Sequence, residues 1–311
     1  LTTTTHEPVV LITGASMGIG AATAAHLARI GCRVFGTSRQ PTPERIAIAQ
    51  AAGFTLVQLD VTDAASVSAC VADVLARAGR IDVLVNNAGV DLVGGLEETT
   101  LEDIHWVFDT NFFGAHRMVC AVLPDMRARR DGLIINVSSA LGRASWPFEG
   151  AYCASKFALE GYTETLRYEL NLFNIRVSSV QPGFYRSNMI NTQRSATQQI
   201  ADYDPARERA IQVGKDWADD ASDPAPVARM IGAIIGMKRP RVRYAVGMEA
   251  VFAPPLAHLL PARVLFKAGR WMLGVDDPRA DIEHAIRQYA PGVGVGALSV
   301  ALAAWIARKR R

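Results

Sequence analysis

The sequence predicts a doubly wound α/β fold, a parallel sheet of about seven strands between layers of helices, with a C-terminal helical extension. Short apolar runs rich in β-branched residues alternate with longer helical stretches, the pattern of parallel strands joined by helical crossovers. A glycine-rich turn, Gly14-Ala-Ser-Met-Gly18-Ile-Gly20, stands between the first such run and a helix beginning near Ile19. No internal repeat or low-complexity linker divides the first 250 residues, so one large domain is the economical reading for a chain of 311.

The expected strands are Val9 to Thr13, Arg33 to Thr37, Thr55 to Leu59, Val83 to Asn86, Leu133 to Ser138, Arg176 to Gln181 and Val242 to Val246. Helices fill most of the gaps between them. Leu101 to Arg129 reads as one long, bent helix, and Tyr152 to Asn171 as another. Composition agrees with a globular protein, half of the residues being apolar and a fifth charged. Net charge is +3, but Arg308-Lys-Arg-Arg311 supplies four positive charges and leaves the body nearly neutral, so no nucleic-acid surface is indicated. Cys32, Cys70, Cys120 and Cys153 are widely spaced and read as reduced core thiols. The six histidines form no ligand cluster, and no metal is expected.

The chemistry is concentrated around Tyr152 and Lys156. Four residues apart on a helix they share a face, where an ammonium can lower the pKa of a phenol toward the range useful for proton transfer. Ser139 lies thirteen residues before Tyr152, at the end of an apolar run, and offers a hydroxyl for a substrate oxygen. In the turn after the first strand, Gly14, Gly18 and Gly20 allow backbone to approach a pyrophosphate at a helix N-terminus. Thr37-Ser-Arg39 closes the second strand, where an arginine pairs with the extra phosphate of NADP and an acidic residue would instead bind the NAD ribose. Arg39, with Ser38 beside it, therefore favours NADP(H) over NAD(H). Gly14-Ala-Ser-Met-Gly18 is also formally G-x-S-x-G, which would make Ser16 a hydrolase nucleophile. That reading leaves Asn86-Asn-Ala-Gly89 and the tyrosine/lysine helix without a role.

Together, Thr13 to Gly20, Asp60-Val61, Asn86 to Gly89, Asn111, Ser139, Tyr152, Lys156 and Pro182-Gly183 resemble the short-chain dehydrogenase/reductase family over about residues 8 to 250. The resemblance implies a Rossmann-type domain over 1–274 and an additional segment, 275–311. It implies that Tyr152 is the general acid or base, that Lys156 assists it and binds the nicotinamide ribose, that Ser139 polarises the substrate oxygen, and that Asn111 bends the long helix and holds a water near Lys156. It also implies a cofactor site of Gly14, Ser16, Gly18, Ile19, Gly20, Ser38, Arg39, Asp60, Val61, Asn86, Ala88, Gly89, Tyr152, Lys156, Pro182 and Gly183. Asn87 is expected to be mainly structural, as is Ser138. Met17 departs from the basic residue that NADP-preferring relatives often carry there.

The implied activity is the interconversion of an alcohol and its ketone or aldehyde. Trp146, Phe148, Leu92 and a lid carrying Tyr185, Met189, Tyr203 and Trp217 suggest a bulky lipophilic substrate of steroid, retinoid or fatty type. A rival reading on the same fold is a catalytically idle NADP(H)-binding regulator. Relatives form homodimers or homotetramers through the two long helices. The first residues lack the features of a secretory signal, so the cytoplasm is the expected compartment. Residues 288–307 carry no charge and precede a basic end, which suggests either peripheral membrane contact through 288–311 or packing of 275–311 against the domain or a sister subunit.

Overall fold

The computed structural model describes residues 7–187 and 189–273. The chain runs β1 (Val9–Ile12), α1 (Gly18–Arg29), β2 (Arg33–Ser38), α2 (Pro43–Ala51), β3 (Thr55–Gln58), α3 (Ala64–Ala78) and β4 (Val83–Asn86). It continues through a two-residue strand β5 (Leu92–Val93), α4 (Leu101–Phe108), α5 (Gly114–Arg129), β6 (Gly132–Val137), α6 (Gly150–Leu170) and β7 (Ile175–Pro182). The last elements are α7 (Met189–Thr192), β8 (Arg194–Ser195), α8 (Asp204–Asp219), α9 (Ala225–Ile235), β9 (Arg243–Val246), α10 (Met248–Leu259) and α11 (Ala262–Met272). All seven expected strands are present, and two helices follow the last of them. The expected segment 275–311, with its membrane-contact stretch 288–311, lies outside the described residues. Among the described residues no helix is long and apolar enough to cross a membrane.

The seven-stranded sheet is parallel throughout, in the order β3-β2-β1-β4-β6-β7-β9. Strand order reverses between β1 and β4, so their carboxyl ends diverge into a crevice, the usual ligand position in open α/β sheets. Alternate residues of each strand enter opposite cores. Leu11, Phe35, Leu84, Ile134 and Val177 meet Val71, Met118, Val122 and Leu166 on one face. Val10, Ile12, Val34, Val85 and Ile135 meet Leu27, Val227 and Ile231 on the other. Burial on both faces explains why these strands read as continuous apolar runs.

The long helix expected over 101–129 is interrupted. Thr100 and Asp103 form a capping box that starts α4, and a π-helical turn over Asp109–Phe113 separates α4 from α5. Asn111 sits in that turn, 1% exposed. Beneath the other end of the sheet, Asp82 accepts from the Val9 amide at 2.9 Å and from Arg80 Nε at 2.6 Å, while Arg129 bridges Asp82, Asp125 and the Ile81 carbonyl. This network seats α5 under β1 and β4.

Replacing Asp82 with alanine leaves the Val9 amide without its acceptor and removes one carboxylate partner from each of Arg80 and Arg129. Urea unfolding should show a loss of about 2 kcal/mol. Asp73→Ala, which removes only the exposed pair with Arg77, should change stability by less than about 0.5 kcal/mol.

Candidate active site

The crevice between β1 and β4 is closed by one hydroxyl and one carboxamide. Thr13 Oγ1 accepts from the Asn87 and Ala88 amides, each at 2.9 Å. Asn87 Nδ2 donates to the carbonyls of Thr13 and Gly14 at 2.9 and 3.0 Å. Gly14 (φ 66°) and Gly18 (φ 57°) take left-handed conformations, and a Cβ at Gly20 would overlap the Gly14 carbonyl. The loop thus reaches the N-terminus of α1 with its backbone uncovered, which fits a dinucleotide pyrophosphate. Ser16 and Ile19 flank it, Ile19 packing against the core beneath.

Asn86, expected on the cofactor side, instead points into the sheet: its Nδ2 donates to Asn136 Oδ1 at 2.9 Å, and Asn136 donates to Thr163 of α6 at 2.8 Å. Strand alternation is the cause, since Asn86 ends β4 facing the helix layer while Asn87 has left the strand. Asn87 braces the glycine loop through the Thr13 and Gly14 carbonyls.

Ser38 is buried and its Oγ accepts from the Gln40 amide at 3.3 Å, leaving Arg39 exposed at the rim. Asp60 Oδ1 accepts from the Thr62 amide and hydroxyl at 2.9 and 2.7 Å. Burial works to raise the Asp60 pKa, but these bonds and the charges of Arg39 and Arg117 outweigh it and hold the carboxyl below its usual range. Val61 is buried and its carbonyl accepts from Arg117 at 3.2 Å. Pro182 ends β7 in register with Val246, and the Gly183 amide continues the ladder to the Val246 carbonyl at 2.8 Å.

The polar centre lies where β4, the π turn and α6 converge. Asn111 Oδ1 accepts from the Val90 amide at 2.8 Å, and its Nδ2 donates to the Val90 carbonyl at 2.9 Å and to Ser155 Oγ at 3.0 Å. Ser155 donates in turn to the Tyr152 carbonyl at 2.7 Å. Lys156 Nζ donates to the Val137 carbonyl at 3.1 Å and lies 5.7 Å from the centre of the Tyr152 ring. Gly89 passes next to Asn111 Oδ1 and Lys156 Nζ, with Ala88 against Gly14. Ser139 faces the Tyr152 phenol, close enough to lower its pKa, and its Oγ accepts from the Leu141 amide at 3.1 Å. Ser138 is buried on the other side, its amide bonded to Val180.

The electrostatics differ from the sequence expectation. Burial, then the charge of Asp91, raise the Tyr152 pKa above its ordinary value, against the Ser139 hydroxyl that lowers it; Glu149 and Cys153 raise it further. The phenol is therefore held protonated. Burial also lowers Lys156 to about 8, while Glu160 and Asp91 act to keep its charge. Glu160 is itself anchored by Ser179 and Arg243 at 2.9 and 2.8 Å. Burial pushes the Cys153 thiol up to about 12, so it is inert. Cys120 departs from the expected buried class: it is exposed on α5, 3.6 Å from His116 Nε2.

An aromatic wall rises beside this centre. Trp146 and Met189 pack against Leu141, Tyr152 and Cys153. Trp217 lies between Trp146 and Phe184, with ring centres 4.6 and 4.1 Å away, and Phe148 meets Tyr203. One expected lid residue and one expected wall residue lie elsewhere. Tyr185 packs on the main core below, and Leu92 is buried with Val107, Ala151 and Ala196 at the base of the lid. Asp91, Glu149 and Phe184 were not anticipated; the charge of Asp91 within Val-Asp-Leu-Val was the available signal.

Comparison with known proteins bears on most of the chain. The family model described as short chain dehydrogenase matches residues 8–198. The 3-ketodihydrosphingosine reductase of Bacteroides thetaiotaomicron is 39% identical over 79% of this chain and 90% of its own. Retinol dehydrogenase 8 of Bos taurus is 39% identical over 75% of this chain and 80% of its own. A short-chain dehydrogenase structure from Streptomyces avermitilis superposes with a TM-score of 0.74 at 34% identity, covering 86% of this chain and 97% of its own. A metagenomic short-chain oxidoreductase in complex with NADP superposes with a TM-score of 0.61 at 28% identity, covering 77% of this chain and 96% of its own. A family match across the glycine loop, the polar centre and the start of the lid, on a sheet of this order, has one meaning: the chain belongs to the short-chain dehydrogenase/reductase family.

Proposed function

We propose that this protein is an NADP(H)-dependent oxidoreductase that interconverts a bulky lipophilic alcohol and its ketone or aldehyde. The observation that carries the reading is the convergence of Ser139, Tyr152, Lys156 and Asn111 beside an aromatic wall. Relatives named for a ketodihydrosphingosine and for retinol support a long or bulky apolar substrate, and a neighbour that binds NADP supports the cofactor. Arg39, exposed just after β2, supplies the cation suited to the additional phosphate, and the family resemblance assigns Asp60 and Val61 to the adenine.

When bound, NADPH supplies the hydride. The chain supplies the proton and its control. Ser139 and Tyr152 hold the substrate oxygen, and Tyr152 releases its phenolic proton to that oxygen as negative charge develops there. Lys156 offsets the phenolate charge that remains. Asn111 holds the backbone next to Lys156 in place and, through Ser155, the first turn of α6. The raised pKa keeps the proton on Tyr152 until the substrate oxygen becomes basic, and the Lys156 ammonium stabilises the phenolate that its release leaves.

NADPH consumption across carbonyls of graded length and lipophilicity tests the reading: the specificity constant should rise with apolar size, and a flat profile would overturn the substrate class. Tyr152→Phe should abolish turnover while NADPH binding, followed by fluorescence, is retained. Arg39→Ala should weaken NADPH binding about tenfold and leave NADH binding nearly unchanged, since only the charged contact is removed. Because the Lys156 pKa is lowered to about 8, its charge is lost as pH rises through that value, and kcat/KM for reduction should fall on an alkaline limb near pH 8.

A further inference from the structure

Asp91 is a buried carboxylate that the reaction above does not use. It stands two residues after Gly89, 5% exposed, in the loop that leads into β5. Its Oδ1 accepts from the Leu92 amide at 2.8 Å, and its Oδ2 accepts from Gln193 Nε2 at 2.6 Å. Its carbonyl accepts from the Arg194 amide at 3.1 Å, at the head of the β5–β8 pair. Asp91 therefore fastens the lid strand to the body of the domain.

Holding the lid does not require a charge there. Leu92, Val107, Ala151 and Ala196 already pack together beneath the same strand pair, and burying a carboxylate is costly. The charge has other neighbours. Leu92, next to Asp91, packs on Ala151, next to Tyr152, and Gly89, two residues before Asp91, passes beside Lys156 Nζ, so the carboxylate stands close enough for its charge to bear on the two groups that handle the proton. The remaining titratable groups facing this pair are Glu149, at the N-terminal end of α6, and Cys153 and Glu160 along that helix, with neutral Ser139 opposite the phenol.

We propose that Asp91 is a positioning residue for the reaction, joining the docking of the lid at Gln193 to the electrostatic state of Tyr152 and Lys156. With the lid seated, Gln193 covers the carboxylate and excludes water from it, so its field reaches the pair with little screening. With the lid raised, water replaces Gln193 and the field weakens. The Lys156 ammonium, which offsets the phenolate left by proton delivery, is thereby kept charged when substrate is enclosed. The link to turnover rests on the functional reading above, whereas the electrostatic link can be measured without turnover.

The chain has five lysines, so the Lys156 signal can be assigned in NMR spectra of protein labelled at the lysine ε-carbon, by its loss in Lys156→Met. In the full-length wild type it should titrate near pH 8, and in Asp91→Asn about one unit lower, because removing a nearby anion disfavours the ammonium. The alkaline limb of kcat/KM should move with it. Asp91→Glu, which keeps the charge, should leave the Lys156 titration within a few tenths of a unit of wild type. Gln193→Ala should raise KM about tenfold through the lost charge-assisted bond. An unmoved Lys156 titration in folded Asp91→Asn, or an equal shift in Asp91→Glu, would overturn the proposal. A moved titration in a protein that reduces no carbonyl would overturn the functional reading and leave the electrostatic link standing.

Discussion

The two hydrogen bonds between the Asn111 carboxamide and the Val90 peptide group hold the centre of this molecule together. They are possible because the helix opens into a π turn at that point and aims the carboxamide at the loop after β4. Losing them would strand a peptide N–H and C=O in a poorly hydrated place, at a cost of about 1–3 kcal/mol for each unsatisfied group. The third bond, to Ser155, carries the same constraint into α6. Gly89, Lys156 and the backbone of Tyr152 consequently share one frame, even though they come from separate stretches of chain.

Within that frame burial and charge oppose each other. Burial alone would leave both the phenol and the lysine neutral. The surrounding carboxylates reinforce burial at Tyr152 and resist it at Lys156, so the tyrosine keeps its proton while the lysine remains poised near 8. Glu160 can lie this close to Lys156 because Ser179 and Arg243 satisfy it from the other side. Proximity of an ammonium to a phenol is thus an incomplete guide to its acidity. The depth of the site and the carboxylates around it decide the outcome.

The lid is attached to this centre through polar anchors at its edges and aromatic packing across its middle. Glu98 is fully buried and accepts from the Gly95 and Ile200 amides and from Arg207, which also pairs with Asp204. Asp103 accepts from Thr197, and Arg194 lies over the Trp106 ring at 4.0 Å. Between these anchors Trp146 and Met189 lie beside Tyr152, and buried Trp217 backs Trp146 and Phe184. Such a wall rewards apolar area and has few polar groups with which to read fine detail.

The sequence by itself determined the seven-strand frame, the glycine loop and the spacing of tyrosine and lysine. These are local properties: β-branched runs, left-handed turns and the helical repeat all act over a few residues. Tertiary structure alone decided that Asn86 faces the helices while Asn87 braces the loop, that Cys120 is exposed, and that two-residue strands β5 and β8 pair across about a hundred positions. It also decided that Asp91 reaches the proton-handling pair. Burial and electrostatic neighbourhood are set by segments remote in sequence, and no period in the local pattern encodes them.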